Sequence, residues 1–242
     1  MKPLSTNTFH GISIVAYAGV FAGAMLLAWS GPAAAQVYKW IDKEGKTHYG
    51  AFPPADKGKP LTIAPSASAN PAAGVEVPPS VIRHYPVYGD SAYTLHLSMM
   101  QNGPFNEIVQ QRVYAEIEWR YQWKFDYNAE GGQCRIRQFV ITLVTTITMP
   151  QWMNAQEAPP AIRVLWPKAV ANIRKHEDGH KAIGIEGANV LARRLKALPP
   201  FDNCATLTRE VNREGERVYA EYALANRAFD RTEALKNSPF DQ

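Results

Sequence analysis

The sequence has no strong excess of one charge. Its 242 residues include 26 Lys and Arg against 22 Asp and Glu, a formal net charge of +4, and no run of basic residues is longer than two. A nucleic-acid-binding protein is expected to concentrate positive charge on one face, so we expect no nucleic-acid partner. The apolar fraction of 46% and the charged fraction of 20% also exclude a disordered tail, a coiled coil and a multi-span membrane protein.

The sequence has a single long apolar run, at residues 11–29. It follows Lys2 and precedes the triplet at 33–35, Ala-Ala-Ala. A basic start, an apolar stretch and a small-residue end are typical of a secretory signal peptide. An uncleaved membrane anchor is the alternative, since the stretch nearly reaches spanning length. We expect residues 1–35 to be a signal peptide cut before Gln36, which predicts a periplasmic or secreted protein with no stable membrane span.

The segment after the signal peptide predicts a small β-hairpin unit at residues 36–56. Two aromatic and β-branched runs, 37–41 and 47–52, flank turn-forming residues at 42–45. The segment resembles a small domain of unknown function found just after signal peptides in bacterial envelope proteins. The residues that carry this resemblance are Tyr38-Lys39-Trp40, Asp42, Gly45 and His48-Tyr49. Residues 57–80, rich in Pro, Ala and Ser, predict a semi-extended linker.

Residues 81–242 are numerous enough for a core of their own, and their pattern predicts an α+β domain. A short strand at 82–87 and a helix capped by Ser91 precede a strict apolar–polar alternation over 113–127. That alternation predicts a strand with one buried face, and its aromatic residues are expected in the core. A second strand at 134–149 should complete a long antiparallel hairpin. Helical periodicity then predicts two long antiparallel helices, one beginning near Trp166 because Pro167 suits a first turn, and one after Cys204.

The stretch His176-Glu177-Asp178-Gly179-His180 carries the chemistry. Residues four apart share one helix face, so His176 and His180 can both ligate one divalent ion. Glu177 lies beside that face, where it can act as general base on a water that zinc activates. A chance pattern on a solvated helix is the alternative. Gly179 weakens a helix relative to Ala, which argues mildly against the site or indicates close packing there.

A third ligand is harder to predict, because no nearby third His follows the motif. If the last two helices are antiparallel about the turn at 199–204, the histidines face positions 223–227 of the last helix, and two carboxylates fall within about a turn of that span. These are Glu221 and Asp230, and each could equally be a solvated surface group. Glu214 and Glu233 are weaker candidates.

The order of several motifs over about residues 85–235 resembles a family of predicted secreted zinc-dependent bacterial proteases, long catalogued as a domain of unknown function. These motifs are Gly131-Gly132-x-Cys134, Met149-Pro150-x-Trp152, His176-Glu177-x-x-His180, Cys204 and Phe229-Asp230-Arg231-x-Glu233. The resemblance implies a zincin-like α+β domain with a hydrolytic zinc site at the two histidines and Glu177 as base. It also favours Asp230 as third ligand. Many members carry a His shortly after that Asp, where this chain has Leu235.

The sequence and the resemblance together predict a periplasmic or secreted zinc metallopeptidase that acts on a protein or peptide. The alternatives are a non-catalytic envelope binding protein that kept a zincin-like shell, and an amidase that uses the same site on cell-wall peptides. A complete three-ligand site would favour an enzyme, whereas a missing third ligand would favour the binding protein.

The two cysteines, Cys134 and Cys204, predict one disulfide. Both fall in the exported part of the chain, where disulfides persist, and neither has another partner. The bond would join the second long strand to the turn between the last two helices. Two buried free thiols are the alternative.

Overall fold

A computed structural model describes residues 5–8, 37–41, 47–50, 59–61, 70–106, 110–233 and 239–240. Side chains are described over 70–106, 110–230 and 239–240. Within these ranges no helix is both long enough and apolar enough to cross a membrane.

The described residues form ten strands, three α-helices and a 3₁₀ helix. In chain order these are β1 (Ser5–Thr8), β2 (Val37–Ile41), β3 (Thr47–Gly50), β4 (Lys59–Leu61), β5 (Val75–Glu76), β6 (Val81–Val87), α1 (Ala92–Asn102), β7 (Phe105–Asn106), β8 (Gln111–Arg112), β9 (Glu116–Glu130), β10 (Gln133–Trp152), the 3₁₀ helix (Ala155–Glu157), α2 (Pro160–Lys196) and α3 (Cys204–Glu233). The predicted α+β class is confirmed.

The long antiparallel hairpin is confirmed as the centre of the main sheet. Strands β9 and β10 pair from Gln133 opposite Glu130 to Thr148 opposite Glu116. Gly131 and Gly132 make the turn with φ of 58° and 77°, the left-handed region that glycine adopts without strain. The other edge of β10 carries β5 and β6, both parallel to it, and β1 pairs with the other edge of β9.

The aromatic residues of β9 belong to the core, as the alternation predicts. The large side chains of Trp119, Tyr121, Trp123 and Phe125 are buried, and burying each contributes on the order of 2 kcal/mol. They lie under α2 and α3, which approach the strand closely through small residues. A Cβ at Gly187 would meet the Tyr121 hydroxyl at 2.0 Å.

The predicted start of α2 near Trp166 is wrong. The helix begins at Pro160, with Pro159 as its N-cap, and it contains Pro167. Proline is tolerated in a first turn because the first N–H groups have no partner within the helix, and Pro160 takes that position. Pro167 removes one hydrogen bond from the helix interior, but the helix continues through it.

Two strands lie within residues 57–80, the segment predicted to be a linker. Besides the expected antiparallel pair of β2 and β3, a third strand pairs with β2, and this strand, β4, lies within residues 57–80. The end of the same segment is part of the second domain, because β5 pairs with β10 and the Ala72 N–H donates to Asn189 Oδ1 at 2.8 Å. Main-chain pairing therefore overrides its loop-like composition. Apart from β1, the predicted signal peptide lies outside the described residues.

The disulfide joins Cys134 and Cys204 and closes a sequence separation of 70. Cys134 also exchanges two main-chain hydrogen bonds with Phe201, at 2.7 and 2.9 Å. The start of β10 is therefore fixed to the turn between α2 and α3, as predicted. This attachment holds the helix pair against the sheet.

Candidate metal centre

Helix α2 brings His176 and His180 together on one buried face. Their Nε2 atoms are 3.1 Å apart, and their side chains are 7% and 0% exposed. The helix positions them so because their spacing of four residues is about one turn. The two imidazoles can therefore face one ion, as the motif predicts.

Helix α3 adds Asp230, whose side chain is fully buried. Its Oδ1 lies 2.8 Å from Nε2 of His180 and 3.5 Å from Nε2 of His176. Two imidazole nitrogens and one carboxylate oxygen are ligands that zinc takes in catalytic sites, where a fourth position stays open. Ligands about 2.0–2.1 Å from zinc in tetrahedral geometry lie about 3.3 Å from one another, close to the three distances here. The donor set therefore fits zinc, and the described residues offer this cluster as a candidate metal site.

The other predicted carboxylates are engaged elsewhere. Glu221 pairs with Arg194 at 2.7 Å, and Glu214 pairs with Arg217 at 2.7 Å. Glu221 therefore lies beside an arginine of α2 and is not part of the cluster that His176, His180 and Asp230 form. The side chain of Glu233 lies outside the described residues, as does Leu235.

Glu177 is buried beside the cluster, with 2% of its surface exposed. Its Oε2 has no hydrogen-bond partner among the described residues. Burial raises the pKa of the Glu177 carboxyl to about 8, with Asp230 adding to the rise and His180 opposing it. A carboxyl whose pKa lies near neutrality can both accept and return a proton, which is what a general acid–base group needs.

The pKa of His180 is also raised. Burial lowers it, but the hydrogen bond and the charge of Asp230 together outweigh that effect. The carboxylate of Asp230 therefore attracts positive charge at the point where the two Nε2 atoms meet. The carboxylate of Asp230 would attract a divalent cation at that point in the same way.

Phe229 explains the glycine inside the motif. Its ring stacks on His176, with centroids 5.3 Å apart, and meets His180 edge-on at 4.8 Å. A Cβ at Gly179 would lie 2.3 Å from the Cζ atom of Phe229. Close packing is therefore the reason for glycine at position 179.

Asn226 is a site residue that the sequence analysis missed. It is fully buried, and its Oδ1 lies 2.8 Å from Nδ1 of His180. Asn226 precedes Asp230 by four residues on α3, so the same periodicity that pairs the histidines pairs these two. An asparagine one turn before a candidate acidic ligand was the signal that could have found it.

Glu116, at the start of β9, is a further acidic group near Glu177. Burial raises the pKa of its half-buried carboxyl to about 7, and the charge of Glu118 adds to the rise. Its charge in turn contributes to the raised pKa of Glu177. The remaining histidines with described side chains are apart from the cluster: His84 is exposed on β6, and His96 lies 2.8 Å from the Tyr114 hydroxyl.

Two family models match the chain. One, described as "Bacterial protein of unknown function (DUF922)", matches residues 82–237; the other, "Domain of unknown function (DUF4124)", matches residues 24–74. The first covers more than half of the chain, so the chain belongs to that family of bacterial proteins. Comparison with curated proteins and with solved structures gives no match.

Proposed function

We propose that this member of the DUF922 family is a periplasmic or secreted zinc-dependent peptidase. The single observation that carries the proposal is the convergence of His176, His180 and Asp230 within hydrogen-bonding range in a buried site. Glu177, also buried, lies directly beside the first ligand in sequence.

The roles follow from the chemistry of each group. His176, His180 and Asp230 would hold the metal. When bound, zinc supplies a Lewis acid that lowers the pKa of water and polarises a carbonyl group. Glu177 would accept the proton from the attacking water at its carboxylate and return it to the leaving amine.

The disulfide supports the proposed location outside the cytoplasm, because disulfides persist in oxidising compartments. A peptide is the proposed substrate because the motif on α2 is that of zinc peptidases. A cell-wall peptide amidase would use the same groups on a different substrate. The alternative without catalysis is an envelope binding protein that kept a zincin-like shell.

The test is metal content together with hydrolysis by the purified full chain. We expect about one zinc per chain, lost in the His176→Ala/His180→Ala double mutant and retained in His84→Ala, which removes an exposed histidine. Less than about a tenth of an equivalent of zinc in wild-type protein purified without chelator would contradict the metal site.

Hydrolysis is followed with labelled casein and with soluble cell-wall peptides as parallel substrates. Glu177→Gln should retain zinc and lower turnover by at least about 100-fold. Asp178→Asn, which removes an exposed carboxylate paired with Arg174, should leave both zinc content and turnover unchanged. Zinc binding without hydrolysis of either substrate would favour the binding protein, and cleavage of cell-wall peptides alone would favour the amidase.

A further inference from the structure

The side chain of Asn226 contacts the imidazole of His180 on the side away from the proposed metal. It is completely buried, and its Oδ1 lies 2.8 Å from Nδ1 of His180. The opposite side of the same imidazole, Nε2, faces Asp230 at 2.8 Å. The ring of His180 is therefore held at both nitrogens by two residues of one helix.

We propose that Asn226 is a positioning residue for the metal: it fixes the tautomer of His180 so that Nε2 is free to ligate. This inference rests on the proposed metal site. An imidazole that binds metal through Nε2 must carry its proton on Nδ1. The Nδ1–H group donates a hydrogen bond to the carbonyl oxygen of Asn226.

The alternative amide orientation is incompatible with a loaded site. If Nδ2 of Asn226 faced His180, Nδ1 would have to accept a hydrogen bond. The ring would then carry its proton on Nε2, which is the atom that a metal needs. The orientation with Oδ1 toward the ring leaves Nδ2 of Asn226 buried without a hydrogen-bond partner among the described residues. Leaving such a group unpaired is unfavourable, so the fold accepts a penalty at this position.

The helix that provides the acidic ligand therefore also orients the histidine opposite it. Asn226 and Asp230 are four residues apart on α3, as His176 and His180 are on α2. A residue that accepts a hydrogen bond from the other ring N–H of a ligating imidazole increases the basicity of that imidazole, and its loss lowers metal affinity by about 10–100-fold. This places Asn226 among the residues that decide zinc affinity, although it touches no metal.

The experiment compares Asn226→Ala and Asn226→Asp with wild type in the full chain. Zinc affinity is measured by competition with a chromophoric chelator, and cobalt-substituted protein reports the ligand geometry through its visible absorption. Asn226→Ala should bind zinc about 10–100-fold more weakly and change the cobalt spectrum. Asn226→Asp keeps an acceptor for Nδ1–H and should recover most of the lost affinity.

A matched control separates positioning from general loss of a buried amide. Asn189 is also buried, and among the described residues its side chain bonds only to main-chain groups, Ala72 N–H at 2.8 Å and Asn70 O at 3.0 Å. Asn189→Ala should lower stability without changing zinc affinity or the cobalt spectrum. Equal loss of zinc affinity in Asn189→Ala and Asn226→Ala would overturn the proposal, because it would mean that general destabilisation is the cause.

A readout without metal distinguishes this inference from the proposed function. In metal-free wild type, nitrogen-15 NMR of the imidazoles should show a hydrogen-bonded proton at Nδ1 of His180, and Asn226→Ala should remove that hydrogen bond. If wild type binds no zinc, the proposed function fails whatever the NMR shows. If wild type binds zinc and a folded Asn226→Ala binds it equally well, the positioning role alone is overturned.

Discussion

Asp230 Oδ1 and His180 Nε2 lie 2.8 Å apart although they come from different helices. No local pattern brings them together, and the contact depends on how α3 lies along α2. The same alignment pairs Arg194 with Glu221 and inserts Phe229 against Gly179. One helix–helix register thus selects which carboxylate reaches the histidines.

The first prediction tests this selection. Asp230→Ala should weaken zinc binding by more than about 100-fold, because loss of a ligand should cost more than loss of a supporting residue. Glu221→Ala, on the same helix, breaks the pair with Arg194 and should leave zinc affinity unchanged. Chelator competition on both variants measures the difference. The opposite ranking would assign the ligand to Glu221, and no effect from either would favour the non-catalytic binding protein.

The second prediction concerns Gly179. In most helix interiors, replacing Gly by Ala stabilises by up to about 1 kcal/mol. Here the added methyl group would lie 2.3 Å from the Phe229 ring, so Gly179→Ala should destabilise the fold by about 1–3 kcal/mol, the usual cost of overpacking. It should also weaken zinc binding, since Phe229 stacks on His176. Urea unfolding and chelator competition give the two values.

A double-mutant cycle provides the control for that prediction. Phe229→Ala removes the ring that an alanine at 179 would meet. The cost of Gly179→Ala should therefore largely disappear when it is measured in the Phe229→Ala background. An unchanged cost in that background would show that helix geometry, and not the aromatic ring, requires glycine.

The third prediction concerns the bond between Cys134 and Cys204. Replacing both with alanine should lower the free energy of unfolding by up to about 4 kcal/mol, the chain-entropy value for a loop of this length. Urea unfolding measures the loss. Reduction of the wild type should raise its mass by about 2 Da, and the non-reduced digest should contain one cross-linked peptide pair. Two reactive thiols in denatured, unreduced protein would refute the bond.

The fourth prediction concerns the pH dependence of stability through Glu116. Its pKa is about 7 in the folded protein against an ordinary value of 4.5, so the folded state binds its proton more tightly than the unfolded state. The contribution of Glu116 to stability is therefore present below about pH 4.5 and is lost as the pH rises through about 7. Glu116→Gln should gain stability relative to wild type over this range.

Urea unfolding of the metal-free full chain at several pH values measures that difference. Titrating groups that Glu116 does not influence cancel between variant and wild type, whereas the pKa of Glu177 falls slightly in Glu116→Gln because a neighbouring negative charge is lost. Glu130→Gln, at the exposed end of the same strand, is the control and should follow the wild type. A difference between Glu116→Gln and wild type that does not change with pH would contradict the assignment.

Local patterns in the sequence were sufficient to predict the elements that surround the site. Alternation along β9 predicted its buried aromatic face because successive strand residues point to opposite sides. Ser91 predicted the start of α1, and its side chain accepts from Thr94 N–H as a capping box requires. The pair His176 and His180 also needed only the helical period, since one turn separates them.

Contacts between distant parts of the chain decided the rest. Pro167 suggested a helix start, but α2 begins at Pro160, because packing of the helix on the sheet outweighs one missing hydrogen bond. The parallel pairing of β5 and β6 with β10 could not be predicted, since it depends on where the chain returns to the sheet edge.

The sequence by itself determined that two imidazoles and a neighbouring carboxylate share one helix segment, because that depends only on helix geometry. The tertiary structure decided which groups complete the site. Asp230 and Asn226 lie on a helix that the periodicity of the sequence predicts, but their approach to His180 depends on the register of α3 against α2. That register is set by side-chain packing, such as Phe229 over Gly179, and by the fixed turn at Cys204, which no single segment encodes.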